Sequence, residues 1–394
     1  MIFRRMSHPD RQEFEVERYR YDDTDVYGVH YHFSDALTFE SLVENPRWRE
    51  AFEVALAEFS PDLVHVHHLT CMSTTMLDAC EEARIPVVMS LHDFWLGCPR
   101  GQRLTSFLSS CEKVEQDRCT RCYADTWPHF FREENVREHA FERYHRRIRR
   151  TLDQAERLIT PSPFSAQLYE DYGVARAKMT VIPYGLPRDS FPSLAGKREE
   201  AAPRVFGYIG TLLPSKGVHV LIDAFLRLMG RRESPGAPAE APDLRLEVHG
   251  AALPYHNDSQ YSSRLERMAQ GCPEVVFKGR YEPHEVASIL AGIDVLVVPS
   301  IWFETWGIVV REAFLASVPV IVSDFGALGE SVEEGKTGLR FARGDASHLC
   351  DQMRRCLVDP DLRSRLASSP KQVWSTEENA QAVVQVYREI FDER

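Results

Sequence analysis

A chain of 394 residues is long enough for two or three domains, and 43% hydrophobic with 27% charged residues is the composition of an ordinary globular protein. A formal net charge of -12 argues against general nucleic-acid binding, and no apolar run approaches the ~20 residues of a membrane span. The stretch after Met1 is charged, unlike a secretion signal, and most of the nine cysteines are scattered singly (Cys71, Cys80, Cys272, Cys350, Cys356), which together predict a two-domain cytoplasmic protein.

In chain order, Phe14 to Tyr31 alternates as two strands around the turn Asp22–Asp25, and Pro46 to Phe59 reads as an amphipathic helix. No Gly-Gly pair occurs before Asp62, and no buried strand is expected there. From Pro61 the rhythm is strand (Pro61–His68), helix (Ser73–Arg84) and strand (Ile85–Asp93), the alternation of parallel β-α-β units. His65 and His67 share one strand face, as a metal pair or as satisfied cleft histidines. Four cysteines follow in a polar loop: Cys98, Cys111, Cys119 and Cys122. The closing C-x-x-C lets two thiolates share a metal, so a structural zinc stapling this insertion is expected, against an oxidised pair or four free thiols. The spacing before Cys119 follows no standard zinc pattern.

Trp127 to Gln154 reads as a long helical region carrying Arg143, Arg146, Arg147, Arg149 and Arg150, either a contact for anionic lipid or a solvated face. Pro161–Gly173 predicts a helix and Met179–Pro187 the last strand of the first domain. Residues 187–203, rich in Pro, Ala and charge, read as a linker. The second domain opens with a strand running into Gly207 and Gly210, a loop with Lys216, and a helix near Gly217, where small residues and a cation suit a diphosphate. A Pro/Gly/Ala-rich insertion at 231–242 suggests no function; Leu244–Leu253 is a strand ending at His249 and Gly250, and Val275–Val286 contains another.

The most informative stretch is Asp294 to Phe314. Val295–Val298 is an apolar β-branched run stopped by Pro299 and Ser300, as in a parallel strand covered on both faces. Gly307 opens a helix expected to bury Ile308, Val309, Phe314 and Leu315. Ligands of open α/β sheets bind at the carboxyl ends of strands, where Trp302 to Trp306 would sit. Glu304 in that loop and Glu312 inside the helix are acceptors suited to sugar or ribose hydroxyls; the bland alternative is a cap and a solvated helix residue. Glu378–Phe391 reads as a final amphipathic helix.

Glu304 and Glu312 form an E-x7-E pair in FETWGIVVREA, preceded by PSIWFETWG and followed by SVPVIVSDFGALGESVEEGKTGLRF. This run resembles the signature of retaining family-4 glycosyltransferases of the GT-B fold, closely over Val205–Leu357 and more loosely over Pro61–Gly185. The resemblance implies an α/β GT-B architecture of two Rossmann-like parallel-sheet domains facing a central cleft. Residues 1–186 would be the acceptor side, lacking the family's opening β-α unit with its glycine-rich loop; 204–372 would bind the nucleotide-sugar, and 373–394 would cross back to the first domain. Carried over residue by residue, Glu304 with the Thr305, Trp306, Gly307 and Ile308 backbone would orient sugar hydroxyls. Glu312 would hold the ribose, and backbone at Gly279, Arg280 and Tyr281 the nucleobase. Gly210 and Gly250 belong to the donor side, and Lys216 would hold the diphosphate. The family often has Arg where this chain has Thr211, so the clamp is halved or shared with a base such as Arg280. His92 matches a position facing the donor sugar, with a structural role as the alternative. The implied activity is transfer with retention, without a catalytic cofactor or divalent metal, from a UDP-, GDP- or ADP-sugar to a sugar or lipid-linked acceptor. Its setting would be cell-surface polysaccharide or glycolipid synthesis, with peripheral contact at the inner membrane face. A nucleotide-sugar-binding scaffold and, less in keeping with the E-x7-E pair, an epimerase are the other readings.

Overall fold

A computed structural model describes residues 1–132, 134–191, 204–231, 243–254, 258–369 and 372–394. Most of the expected linker and most of the 231–242 insertion lie outside the described residues.

The first half begins with β1 (Ile2–Met6), β2 (Val16–Tyr21) and β3 (Thr24–His30), a three-stranded sheet in the order β1-β3-β2. β1 runs parallel to β3 and β2 antiparallel to it. The hairpin between β2 and β3 lies where the alternation predicts it, but β1 was not anticipated. Val26 and Val29 of β3 are buried, which corrects the expectation of no buried strand before Asp62. Helix α1 (Pro46–Phe59) packs beneath: Asn45 caps it by accepting from the Arg47 N–H, and Pro46 takes the first turn, where its missing N–H leaves nothing unsatisfied. Its Trp48 and Phe52 meet Phe3 edge-on, and Trp48 also meets Phe14 and Tyr31.

Then β4 (Val64–Val66), α2 (Thr75–Glu82), β5 (Val87–Ser90), α3 (Gln116–Thr126), α4 (Glu134–Gln154), β6 (Arg157–Thr160), α5 (Pro163–Asp171) and β7 (Met179–Val181) build a parallel four-stranded sheet in sequential order. Helix α3 is a correction, since Cys119 and Cys122 sit on it and not in a loop. Of the five α4 arginines singled out from the sequence, Arg143 pairs with Glu40, Arg147 with Asp78 and Arg150 with Glu81, so this basic face is partly turned onto the domain itself. Among the described residues no helix is long and apolar enough to cross a membrane.

The second half contains β8 (Val205–Ile209), α6 (Val218–Leu228), β9 (Arg245–His249), α7 (Tyr261–Ala269), β10 (Val275–Gly279), α8 (Val286–Ala291), β11 (Val295–Val298), α9 (Ile308–Leu315), β12 (Val320–Ser323), α10 (Gly326–Ser331), β13 (Leu339–Phe341), α11 (Ala346–Val358) and α12 (Pro360–Ser368). Its six strands are all parallel in the order β10-β9-β8-β11-β12-β13, so the winding reverses between β8 and β11. A crevice opens at the carboxyl ends of strands at such a reversal, which fixes where a ligand can sit. Helix α6 is apolar almost all round because it is covered by the sheet, α7 and α11. On α9 the buried residues are Val310 and Ala313, while Ile308 is 48% exposed. Val309, Phe314 and Leu315 are partly buried against the same core, so of the expected set only Ile308, at the start of the helix on the cleft, departs from it.

Helix α13 (Thr376–Asp392), started by a Ser375/Glu378 capping box, returns to the first sheet and packs Val386 and Ile390 on Val88, Ile159 and Ile182. The Leu186 N–H donates to the Trp374 carbonyl at 2.9 Å, and Asn379 donates to the Pro183 carbonyl at 2.7 Å.

Candidate active site

A cleft of about 710 Å³ lies between the two large sheets at the carboxyl ends of β8 and β11, with His92 and Tyr184 on its first-domain wall. Two glycines let the second-domain wall close up. At Gly217 (φ 71°) a Cβ would collide with the Pro299 carbonyl, and at Gly250 (φ 150°) with the Gly210 carbonyl.

The loop after β11 is held from within. Glu304 Oε1 accepts from Lys216 Nζ at 2.7 Å, Ser300 Oγ at 2.7 Å and Trp302 Nε1 at 2.8 Å. Lys216 Nζ also lies 5.0 Å from the Trp302 ring centroid. One carboxylate oxygen therefore carries three donors, and Oε2 is the atom left for a ligand. Across the cleft, Thr305 Oγ1 donates to the His92 carbonyl at 3.0 Å, Ser165 Oγ donates to the Thr305 carbonyl at 3.2 Å, and Trp306 meets Tyr184 edge-on at 5.3 Å. The loop thus touches both domains.

Gly307, left-handed at φ 75°, is the N-cap of α9 and sets the start of that helix, with Ile308 and Val309, on the cleft wall, where the N–H groups of a first turn have no intrahelical partner. One turn on, Glu312 lines the same cleft beside Tyr281 and shows no hydrogen-bond or ion-pair partner among the described residues. Burial pushes its carboxyl up to about 7. Arg311 points the other way: it donates to the Trp306 carbonyl at 2.6 Å and covers the Trp306 ring, and burial lowers it to about 10.

His92 is bound at both ring nitrogens, Nε2 to His67 Nδ1 at 3.0 Å and Nδ1 to the Tyr184 hydroxyl at 2.6 Å. Burial, then the neighbouring His67 and His68, lower it to about 4, so it is a neutral ring. His65 and His67 stack at 4.3 Å, and His65 bonds Tyr387 and Ser90. They form part of a hydrogen-bonded stack that also holds α13.

Of the residues singled out from the sequence, His92, Gly210, Thr211, Lys216, Tyr281, Glu304, Thr305, Trp306, Gly307, Ile308 and Glu312 all line this cleft. Gly250 and Gly279 stand behind it, the Gly250 N–H donating to the Gly279 carbonyl at 2.8 Å. Arg280 is 80% exposed and pairs with Glu282 at 3.3 Å, so it does not complete a clamp with Lys216 in this state. Missed from the sequence were Tyr184, Tyr208 and the role of Ser300, which lies in the same loop as Glu304 and was the findable one. Tyr184 reaches the cleft only through the tertiary fold, and His67, expected as a cleft or metal histidine, stands behind His92 as its hydrogen-bond partner.

The four cysteines Cys98, Cys111, Cys119 and Cys122 all line one small pocket in the first domain. As their side chains lie, no three His, Cys, Asp or Glu groups among the described residues stand close enough to enclose a metal ion.

Two family descriptions match successive parts of the chain: Glycosyltransferase Family 4 over residues 6–190 and Glycosyl transferases group 1 over 194–373. The glycogen synthase of Mycobacterium tuberculosis is 30% identical over 239 residues, covering 60% of this chain and 54% of that protein. The D-inositol 3-phosphate glycosyltransferase of Corynebacterium urealyticum is 29% identical over 255 residues, covering 61% of this chain and 58% of its own length. The chain spans about half the length of the curated relatives it matches. Among solved structures, sucrose-phosphate synthase from Thermosynechococcus elongatus superposes with a TM-score of 0.69 at 22% identity, over 100% of this chain and 89% of that one. HepE of Anabaena, in complex with UDP and glucose, gives 0.63 at 20% identity over 92% and 85%. These two establish the shared fold. With both halves matched in order and the E-x7-E pair set in the cleft, the chain belongs to the GT4-type glycosyltransferases (glycosyl transferases group 1) of the GT-B fold.

Proposed function

We propose that the protein is a retaining glycosyltransferase that moves a sugar from a nucleotide-sugar to a hydroxyl acceptor. The observation that carries this reading is the convergence of Lys216, Glu304, the α9 N-terminus and an unpartnered Glu312 on one cleft. In this reading residues 204–372 hold the donor and residues 1–186 face the acceptor. Two features suit a diphosphate: the N–H groups opening α9 and the Lys216 ammonium, which would exchange part of its bond to Glu304 for phosphate oxygens. Glu312, as a carboxylate, accepts from both ribose hydroxyls. Glu304 Oε2, the oxygen free of internal donors, accepts from the sugar.

As the sugar–phosphate bond breaks, negative charge grows on the leaving diphosphate, and Lys216 and the helix N–H groups lower its energy without reorganising. Glu304 is a poor nucleophile while its Oε1 is held by three donors. That supports front-face attack, in which the acceptor hydroxyl bonds to the anomeric carbon on the side the diphosphate leaves, passing its proton to the leaving phosphate. His92, neutral and bonded at both nitrogens, braces the wall through its carbonyl contact with Thr305 and is not a proton carrier in this arrangement. These groups supply the charge stabilisation themselves, and the reading assigns no catalytic metal. Cell-surface polysaccharide or glycolipid synthesis, at the cytoplasmic face of the membrane, is the setting we propose for it.

A second reading, a donor-binding scaffold, is favoured by Thr211 and by the exposure of Arg280, which leave Lys216 as the single Lys or Arg among the described cleft-lining residues. Calorimetry with UDP, GDP, ADP and their common sugar conjugates, followed by assay of nucleotide release with sugar and lipid-linked acceptors, separates the two. Binding with acceptor-dependent release supports a transferase; binding with no release under any acceptor supports the scaffold; no binding overturns both.

A further inference from the structure

Between β5 and α4 the chain builds an arm that leaves its own domain. A turn at Cys98–Gly101, with the Gly101 N–H donating to the Cys98 carbonyl at 2.7 Å, leads into Leu104, which pairs with Ser110 across a narrow hairpin. The hairpin has little core of its own. It is held by two arginines: Arg103 donates to the Cys111 carbonyl at 3.0 Å and the Glu112 carbonyl at 2.6 Å, and Arg100 to the Leu104 carbonyl at 2.9 Å and Thr126 at 2.6 Å. The tip, Leu108, packs against the core of the second domain, in a hollow it shares with His219, Met268, Ile301 and Arg343. Ile301 belongs to the loop that carries Glu304, its N–H bonded to the Ser215 carbonyl at 2.8 Å beside Lys216. The arm therefore braces the base of the donor loop from the opposite domain.

Cys98 and Cys111 flank the two roots of this arm, and Cys119 and Cys122, three residues apart on α3, share one helix face opposite them. Backbone N–H groups of Arg100 and Arg103 face the Cys98 sulfur, the kind of support that a bound thiolate receives in metal sites. The four residues line one small void, and a tetrahedral thiolate centre there, with bonds of ~2.3 Å, requires their side chains to turn inward from the positions they hold. We propose that Cys98, Cys111, Cys119 and Cys122 bind one zinc ion, and that this ion fixes the arm of residues 103–110 against the donor-side domain at Ile301. Binding involves no redox change: the thiols yield their protons to solvent as four zinc–sulfur bonds form.

The test is elemental analysis of the full-length protein purified without chelator, with cobalt exchanged for zinc. The expected result is one zinc per chain, and for the cobalt form the sulfur-to-cobalt charge-transfer and intense visible bands of a tetrahedral thiolate site. A Cys119→Ser/Cys122→Ser double variant should lose the metal. Hydrogen exchange at 103–110 and at the Ile301 loop should rise roughly tenfold or more when zinc is removed. Leu108→Asp should keep zinc yet show the same loosening. Metal-free wild-type protein with four titratable thiols, a disulfide between any of the four in the native protein, or undiminished zinc in the double variant would overturn the proposal.

Discussion

Glu312 offers a test in which stability and binding move in opposite directions. Its folded value of about 7 against an ordinary 4.5 means that the native chain holds this proton more tightly than the unfolded chain does. Stability therefore falls as pH rises from about 4.5 to about 7, and the loss is complete above that. A shift of about 2.5 pKa units at 1.36 kcal/mol each corresponds to about 3 kcal/mol. Glu312→Gln keeps the shape and removes the charge. Urea unfolding should show the variant more stable than wild type by about 2–3 kcal/mol at pH 8.5 and nearly equal at pH 4.5. The same change should weaken nucleotide-sugar binding, because hydrogen bonds to a charged acceptor contribute about 1.5–3 kcal/mol each. Calorimetry should thus show a ~10–100-fold or greater loss. Wild-type affinity should itself fall about tenfold per pH unit below about 7, as the carboxylate protonates. If Glu312→Gln is no more stable at pH 8.5, burial is not what sets this carboxyl; if it binds donor like wild type, Glu312 does not hold the ribose.

Lys216→Ala should leave the fold intact, since Ser300 and Trp302 still satisfy Glu304, and should weaken donor binding ~10–100-fold by calorimetry; unchanged affinity would remove Lys216 from the diphosphate site. Thr211→Arg should tighten donor binding up to ~10-fold at low salt and less at high salt, and a salt-independent or absent gain would place Thr211 away from the phosphates. Arg147→Met should destabilise the first domain by about 3 kcal/mol, because it strips its principal partner from Asp78, which is 16% exposed beside an 8% exposed arginine; a change under about 0.5 kcal/mol in urea unfolding would mean the pair is effectively solvated.

What could be read in advance follows from what local chemistry records. Helix α1 was legible to its ends, because Asn-Pro writes its start and the apolar period its length. So was β11, a continuous apolar run of the kind that only a doubly covered strand tolerates. β1 was not: Ile2–Met6 carries two arginines in five residues and becomes a strand only by pairing with β3. α3 was hidden because its Arg- and Asp-rich sequence has little apolar pattern. Within the site, residue types announced acceptors and a cation, but not whom they bond. That Glu304 meets Lys216 from 88 positions away, and that His92 gives both ring nitrogens to His67 and Tyr184, are properties of side chains meeting across long sequence separations.

The return of α13 to the first sheet also sets an order of assembly. The hydroxyl of Tyr387 reaches His65 across 322 positions, and Val386 and Ile390 cover a face formed by Val88, Ile159 and Ile182. During synthesis that face emerges early and stays bare until the whole second domain has been made, so the half translated first is the half that finishes last. Such long loop closures are slow, and until they form the waiting apolar face is open to aggregation. The strap that steadies the finished cleft is thus also the step on which its folding depends.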